Sequence, residues 1–248
     1  MNLANLEGLL RSRKLDGVVA SARSMPVDRV AGTGVHSLDE CLGGGLPRGH
    51  LSEIVGPRSS GRASVMCSVL AAATRRGEVV TLIDTFDSFD PVSGQAAGID
   101  LSRVLWVRGQ HVMYRDTSRV VKRAIKAASL VCQSGRFSVV VIDVAEASPG
   151  VLQRFPYTTW MRLARAIEGS TTVGLSVGPV AMGRSAKGRA IMLAPARHAS
   201  HLQGKTSRVF LNELTFDVRV VSTKYSSAPF RLCAESEPTV QGIHTAAG

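Results

Sequence analysis

The chain has 248 residues, 44% of them hydrophobic, which is enough for one large α/β domain or two small ones with a substantial core. A formal net charge of +11 points to polyanions or acidic partner surfaces, with a generically basic chain as the plain alternative. The scattered cysteines Cys41, Cys67, Cys132 and Cys233 exclude a disulfide framework or a cysteine zinc site and are expected as buried free thiols.

No stretch approaches the ~18 apolar residues of a membrane span. The opening "MNLANLEGLLRSRKLDG" lacks the apolar core of a secretion signal, so the expected location is the cytoplasm. Leu3, Leu6, Leu9 and Leu10 fall at helical spacing, and Gly17 and Pro26 then break the pattern. Residues 1–29 therefore read as a helical arm and linker. Ser37-Leu-Asp-Glu40 is a capping-box pattern that opens a short helix, which Gly43–Gly45 close.

Strands and helices then alternate. His50–Val55 reads as a strand, followed by a Gly-rich turn and a helix from about Arg62 to Arg75. Val79–Asp84 and Val104–Val107 read as strands, Thr117–Gln133 as a helix with a basic face, and "FSVVVID", Phe137–Asp143, as a buried strand ending in an acid. Thr158–Ile167 reads as a helix and Thr171–Val177 as a strand. Residues 178–206 are rich in Gly, Ala, Ser, Arg and Lys and read as a largely mobile loop. Val209–Leu211, Phe216–Ser222 and Phe230–Ala234 read as short strands with hairpin connections. Residues 236–248 read as a disordered tail. This alternation implies an α/β core, residues 30–235, with a mostly parallel twisted sheet between helices and antiparallel strands at its C-terminal end.

The turn after the first long strand is "GPRSSGRAS", Gly56–Ser64. It has the outline of a phosphate-binding loop, G-x-x-x-x-G-K-[ST], in which glycines turn successive backbone N–H groups toward phosphate and the following helix adds its dipole. Gly56, Ser59, Ser60 and Gly61 are the candidate cradle. Arg62 stands where the pattern has Lys, and its planar forked guanidinium is not equivalent to an ammonium. Ala63 stands where a hydroxyl would ligate Mg²⁺, and Ser64 is about 100° further around the helix. Asp143 is the candidate second metal anchor, with an ordinary strand-end carboxylate as its plain alternative. Asp84, Asp87 and Asp90 are candidates to position water.

"TGVHSLDECLGGGLPRGHLSEIVGPRSSGRASV", then "LIDTFDSFDP", "AAGIDLSRVLWVRG" and "VVVIDVAEASP" follow one another in order. Together they resemble the core of the RecA recombinases over roughly residues 30–235, most closely up to Asp143. The resemblance implies a RecA-like P-loop NTPase fold and ATP with Mg²⁺ as the cofactor, weakly held at best by this chain. It places the family's P-loop Lys on Arg62, its Thr on Ala63 and its water-activating Glu on Phe86. Its γ-phosphate-sensing Asn-Gln pair falls on Val177 and Gly178. Only the strand-end acid, Asp143, is kept, so the expectation is a fold that no longer hydrolyses ATP. The family's C-terminal domain is not matched by this sequence.

A RecA-like chain with this altered loop resembles the ImuA family. That resemblance implies an adaptor in SOS-induced, error-prone translesion DNA synthesis. It implies an ImuB-like Y-family polymerase homologue and RecA recombinase as partners, together with an error-prone replicative-type polymerase. Two other readings stay open: an active, atypical RecA-like ATPase in recombinational repair, and a SulA-like inhibitor of cell division.

The charge is uneven. Arg103–Arg136 holds eight Lys/Arg against one acid, Asp116, and Arg154–Arg208 holds nine against one, Glu168. By position, the resemblance places two DNA-facing loops near Gln153–Thr158 and Pro179–Ser207. Arg154, Arg184, Lys187, Arg189, Arg197 and Lys205 are therefore candidates to contact the phosphates of single-stranded DNA near the nucleoid, or a partner, with a solvated basic loop as the alternative. The arm leucines would dock on a recombinase, on a second copy, or back on their own core. His198-x-x-His201 lacks a third ligand and reads as two loop histidines. Trp106 and Trp160 read as core or interface residues.

Overall fold

A computed structural model describes residues 29–109, 117–183, 187–195, 213–221 and 230–235, with Gly8 and Ser12 described singly. Strands β1 (Val30–Ala31) and β2 (Leu46–Pro47) pair antiparallel around helix α1 (His36–Leu42). The chain then runs through β3 (Leu51–Val55), α2 (Arg62–Arg75), β4 (Val80–Asp84), α3 (Pro91–Ala96) and β5 (Val104–Arg108). It continues through α4 (Thr117–Ser134), β6 (Val139–Asp143), α5 (Pro149–Gln153), α6 (Tyr157–Ile167) and β7 (Val173–Gly178). Strands β8 (Ala190–Pro195), β9 (Glu213–Val221) and β10 (Phe230–Glu235) complete the order.

The main sheet has the order β10-β9-β8-β3-β7-β6-β4-β5. Every pair from β8 to β5 is parallel, while β8–β9 and β9–β10 are antiparallel. This is the α/β fold with antiparallel C-terminal strands that the sequence implied. Its inner strands are continuous apolar runs because both faces are covered. Successive strand residues point to opposite faces. In β6, Val139 and Val141 join the core beneath α2, whereas Val140 and Ile142 join the core beneath α4 and α6.

The structure corrects the sequence reading in three places. The capping box at Ser37–Glu40 does not form: Val35 is the N-cap of α1, and its apolar side chain cannot cap the helix. Thr33 and Asp39 organise this turn instead, with the Thr33 N–H donating to Asp39 Oδ1 at 2.7 Å and the Val35 N–H donating to Thr33 Oγ1 at 3.2 Å. Second, the loop expected over 178–206 contains a strand, β8, among its described residues 178–183 and 187–195. Ile191 and Leu193 alternate inward from β8 while Met192 stays outside, and pairing with β3 and β9 supplies the backbone bonds. Third, α3 and α5 were not expected; each starts on a proline, and Asp90 caps α3 by accepting from Val92 N and Ser93 N. Gly43 closes α1 in the left-handed region as expected. The arm leucines Leu3, Leu6, Leu9 and Leu10, the strand expected at Val209–Leu211 and the tail 236–248 lie outside the described residues.

Candidate functional site

Parallel sheets gather loops at the carboxyl ends of their strands, and crevices form there. Here β3 ends at Val55 and leads into Gly56, β6 ends in Asp143, and β7 lies between the two strands. The turn after β3 wraps tightly. A Cβ on Gly56 would come within 2.5 Å of Leu193 O and Ser60 Oγ, so only glycine fits. Ser59 and Gly61 take φ values of 57° and 87°, which turn the loop back onto the start of α2. No side chain caps α2, so its first N–H groups open on the cleft. The cleft holds about 580 Å³ between this loop, α3 and the end of β6.

The charged groups of the cleft face one another. Arg62 is only 6% exposed, and its Nη1 donates to Ala145 O at 3.4 Å. Burial lowers its pKa, and the Asp143 and Glu146 carboxylates oppose that shift. Arg58 pairs with Glu146 at 2.9 Å. Both arginines of the loop thus reach the 145–146 turn that follows β6. The sequence reading missed Arg58, although a cation inside a glycine loop is a visible signal. Asp143 accepts from Ala145 N at 2.8 Å, and burial pushes its carboxyl up to about 6. Cys67, also on the cleft wall, is pushed up to about 11 by burial and is a poor nucleophile.

The three aspartates expected to position water are each engaged by the protein. Asp84, 1% exposed, accepts from Ser88 N at 2.9 Å, Phe89 N at 3.0 Å and Trp106 Nε1 at 3.2 Å. Asp87 takes Arg108 in a two-bond fork at 2.7 and 2.8 Å. Asp90 is the α3 cap and the only one of the three that lines the cleft. Phe86 packs against the core beneath α4 and α6. Val177 is buried, and Gly178 accepts from Gly56 N at 3.2 Å, which ties β7 to the loop. Trp106 is more than a core residue: Phe89 meets it edge-on at 5.5 Å, and the Arg108 guanidinium lies 4.6 Å over its ring. Trp160 is fully buried.

The loop backbone makes a tight glycine turn that leads into the uncapped start of α2. Residue 63 brings a methyl group to the cleft, and the Asp143 carboxyl shares its surroundings with the Arg62 guanidinium. Among the described residues, no group of three His, Cys, Asp or Glu side chains is placed to hold a metal. His198 and His201 lie outside those residues.

Of the cationic candidates, Arg154 is exposed at the end of α5, Lys187 is exposed and Arg189 is half-buried where β8 begins. Arg184, Arg197 and Lys205 lie outside the described residues. Arg119, Lys122, Arg123 and Lys126 on α4, with Arg162 and Arg165 on α6, are all exposed. These two helices pack together on one face of the sheet. Among the described residues, no helix is long and apolar enough to cross a membrane.

A glycine loop that joins the strand β3 to the helix α2, with an aspartate at the end of a strand two places across the sheet, defines a P-loop-type α/β domain. The chain belongs to the RecA family: the model of the RecA N-terminal domain matches residues 17–150. It is 35% identical over 130 residues to Protein RecA of Clostridioides difficile, covering 52% of this chain and 34% of that protein. It is 39% identical over 116 residues to Protein RecA of Symbiobacterium thermophilum, covering 46% of this chain and 31% of that protein. The matched stretches therefore span about a third of these relatives' length. The crystal structure of the RadB recombinase superposes with a TM-score of 0.55 at 16% identity, covering 83% of this chain and 96% of that one, a likeness of fold.

Proposed function

We propose that this chain is a RecA-fold adaptor that has given up ATP hydrolysis. The carrying observation is that both arginines of the Gly56–Ser64 loop are turned to the protein's own 145–146 turn, while residue 63 brings no hydroxyl. Phosphoryl transfer depends on positioned cations and a positioned water. Arg62 is engaged by Ala145, Phe86 packs half-buried against the core, and Asp84 and Asp87 are occupied elsewhere. The fold then serves as a scaffold. In the reading that combines this altered site with the family's frame, the chain is the ImuA-type member of an error-prone translesion system. It would join an ImuB-like polymerase homologue to a RecA filament or to single-stranded DNA.

Calorimetry of ATP against the purified protein, with and without Mg²⁺ and beside an authentic recombinase, tests the site. No Mg²⁺-dependent binding and no turnover are expected. Turnover at a recombinase-like rate overturns the adaptor reading and supports an active ATPase, in which case Arg62→Ala abolishes it. The backbone cradle supports one further reading, that a phosphate group binds without a metal; binding that is equal with Mg²⁺ and with a chelator is its signature.

A further inference from the structure

Ser52 and Glu53 stand in the middle of a central strand, where a charge is costly unless it is paired or hydrogen-bonded. Glu53 is 3% exposed. Its Oε2 accepts from Met182 N at 2.6 Å and its Oε1 from Gly183 N at 3.1 Å. Both carboxylate oxygens are thus spent on the chain that leaves β7. On the other side of β3, the Arg189 N–H donates to Ser52 Oγ at 3.1 Å, and the Glu53 N–H donates to Arg189 O at 2.8 Å. Two adjacent strand residues therefore hold the chain at 182–183 and again at 189. Between these points the sequence carries Arg184 and Lys187, and Arg189 itself is the far pin. Gly183 sits close over the strand, with its Cβ direction 3.5 Å from Leu51 and 3.6 Å from Trp160, so the near pin is also packed.

We propose that Ser52 and Glu53 are positioning residues: they form a two-point clasp that holds the chain at Met182–Gly183 and again at Arg189 and so sets how Lys187 and Arg189 are presented. No ligand or metal is needed for the clasp. Its value to nucleic-acid binding rests on the reading of this segment as a phosphate-contacting loop. The two bonds from backbone N–H groups to the Glu53 carboxyl are the larger part, because they engage both of its oxygens, whereas Ser52 supplies a single neutral acceptor. Glutamine is isosteric but presents an NH₂ group to one of the two N–H donors, so it breaks one arm without removing bulk.

Limited trypsin digestion of the full chain reads the clasp directly, since cleavage follows local opening. Glu53→Gln is expected to speed cleavage after Arg184, Lys187 and Arg189 by about tenfold, with cleavage in α4 after Lys122 and Lys126 unchanged. Ser52→Ala, a milder change, is expected to speed the same three sites by a smaller factor. Unchanged rates at those sites in both variants overturn the clasp. Equal acceleration in α4 and in the segment, in both variants, overturns it too, because that is global unfolding. Fluorescence anisotropy with an oligo-dT then separates the two readings. Binding by wild type that weakens in Glu53→Gln supports both. Faster segment cleavage in a chain whose wild type does not bind oligo-dT keeps the clasp and removes the nucleic-acid role.

Discussion

Asp143 ends β6 with a carboxyl that burial pushes up from 3.8 to about 6. A carboxyl whose folded value is raised binds its proton more tightly in the folded state. The stabilisation it gives is complete below pH 3.8 and is lost as pH rises through about 6. Asparagine keeps an acceptor for the Ala145 N–H and removes the buried charge. Asp143→Asn is therefore expected to be more stable than wild type at pH 8, by at most about 3 kcal/mol, and equal to it near pH 3.5. Urea unfolding at the two pH values measures this, and a less stable variant at pH 8 would show that Asp143 is held by interactions its ionised form prefers. Arg62 and Ala63 give a second prediction. Arg62→Lys combined with Ala63→Thr restores a compact cation and a hydroxyl to an otherwise intact loop. ATP binding in Mg²⁺ is expected to tighten by about tenfold or more in calorimetry. No gain would mean that the closure of the cleft lies elsewhere than in these two side chains.

At the scale of elements, the turn between β4 and α3 hangs on Asp84. Three donors from three places, Ser88 N, Phe89 N and Trp106 Nε1, converge on one buried carboxylate. A donor left buried without an acceptor costs about 1–3 kcal/mol, so Asp84→Ala is expected to cost about 3–5 kcal/mol in all. Chemical denaturation measures the loss, and a shifted Trp106 emission reports the released indole in the folded protein. This turn also shows why the sequence suggested a water-positioning acid: three aspartates in "DTFDSFDP" satisfy the spacing equally well, and which of them faces the cleft depends on where α3 and β5 lie. The longer helices were legible, whereas the short α3 and α5 were not. Arg62–Arg75 has the same bounds in both readings, because the glycine loop that ends at Gly61 marks where α2 starts. Strand β8 was not, because six residues flanked by Gly and Arg carry too little periodicity to outweigh a loop-like composition.

At the scale of the whole molecule, charge is divided between the faces of the sheet. The α4–α6 face carries Arg119, Lys122, Arg123, Lys126, Arg162 and Arg165 at the surface, whereas α2 on the opposite face exposes Ala63, Ser64 and Arg75. Fields of this kind bind polyanions through counterion release, with a steep dependence on salt. Lys122→Glu is expected to elute from heparin at clearly lower salt than wild type, and further below it than Arg75→Glu, which changes the net charge by the same amount. Equal shifts would mean that net charge alone governs binding.

The sequence by itself determined the class of fold, the order of its longer strands and helices through β7, the loop at Gly56–Ser64 and the strand-end acid at Asp143. Those features are local: they rest on glycine positions, on the period of apolar residues and on motif order, all of which are written along one stretch of chain. Tertiary structure alone decided what the side chains face. Arg62 meets Ala145 O from 83 residues away, and Glu53 meets Met182 N from 129 residues away. No local pattern encodes such partners, because they are set by which strands the sheet brings side by side.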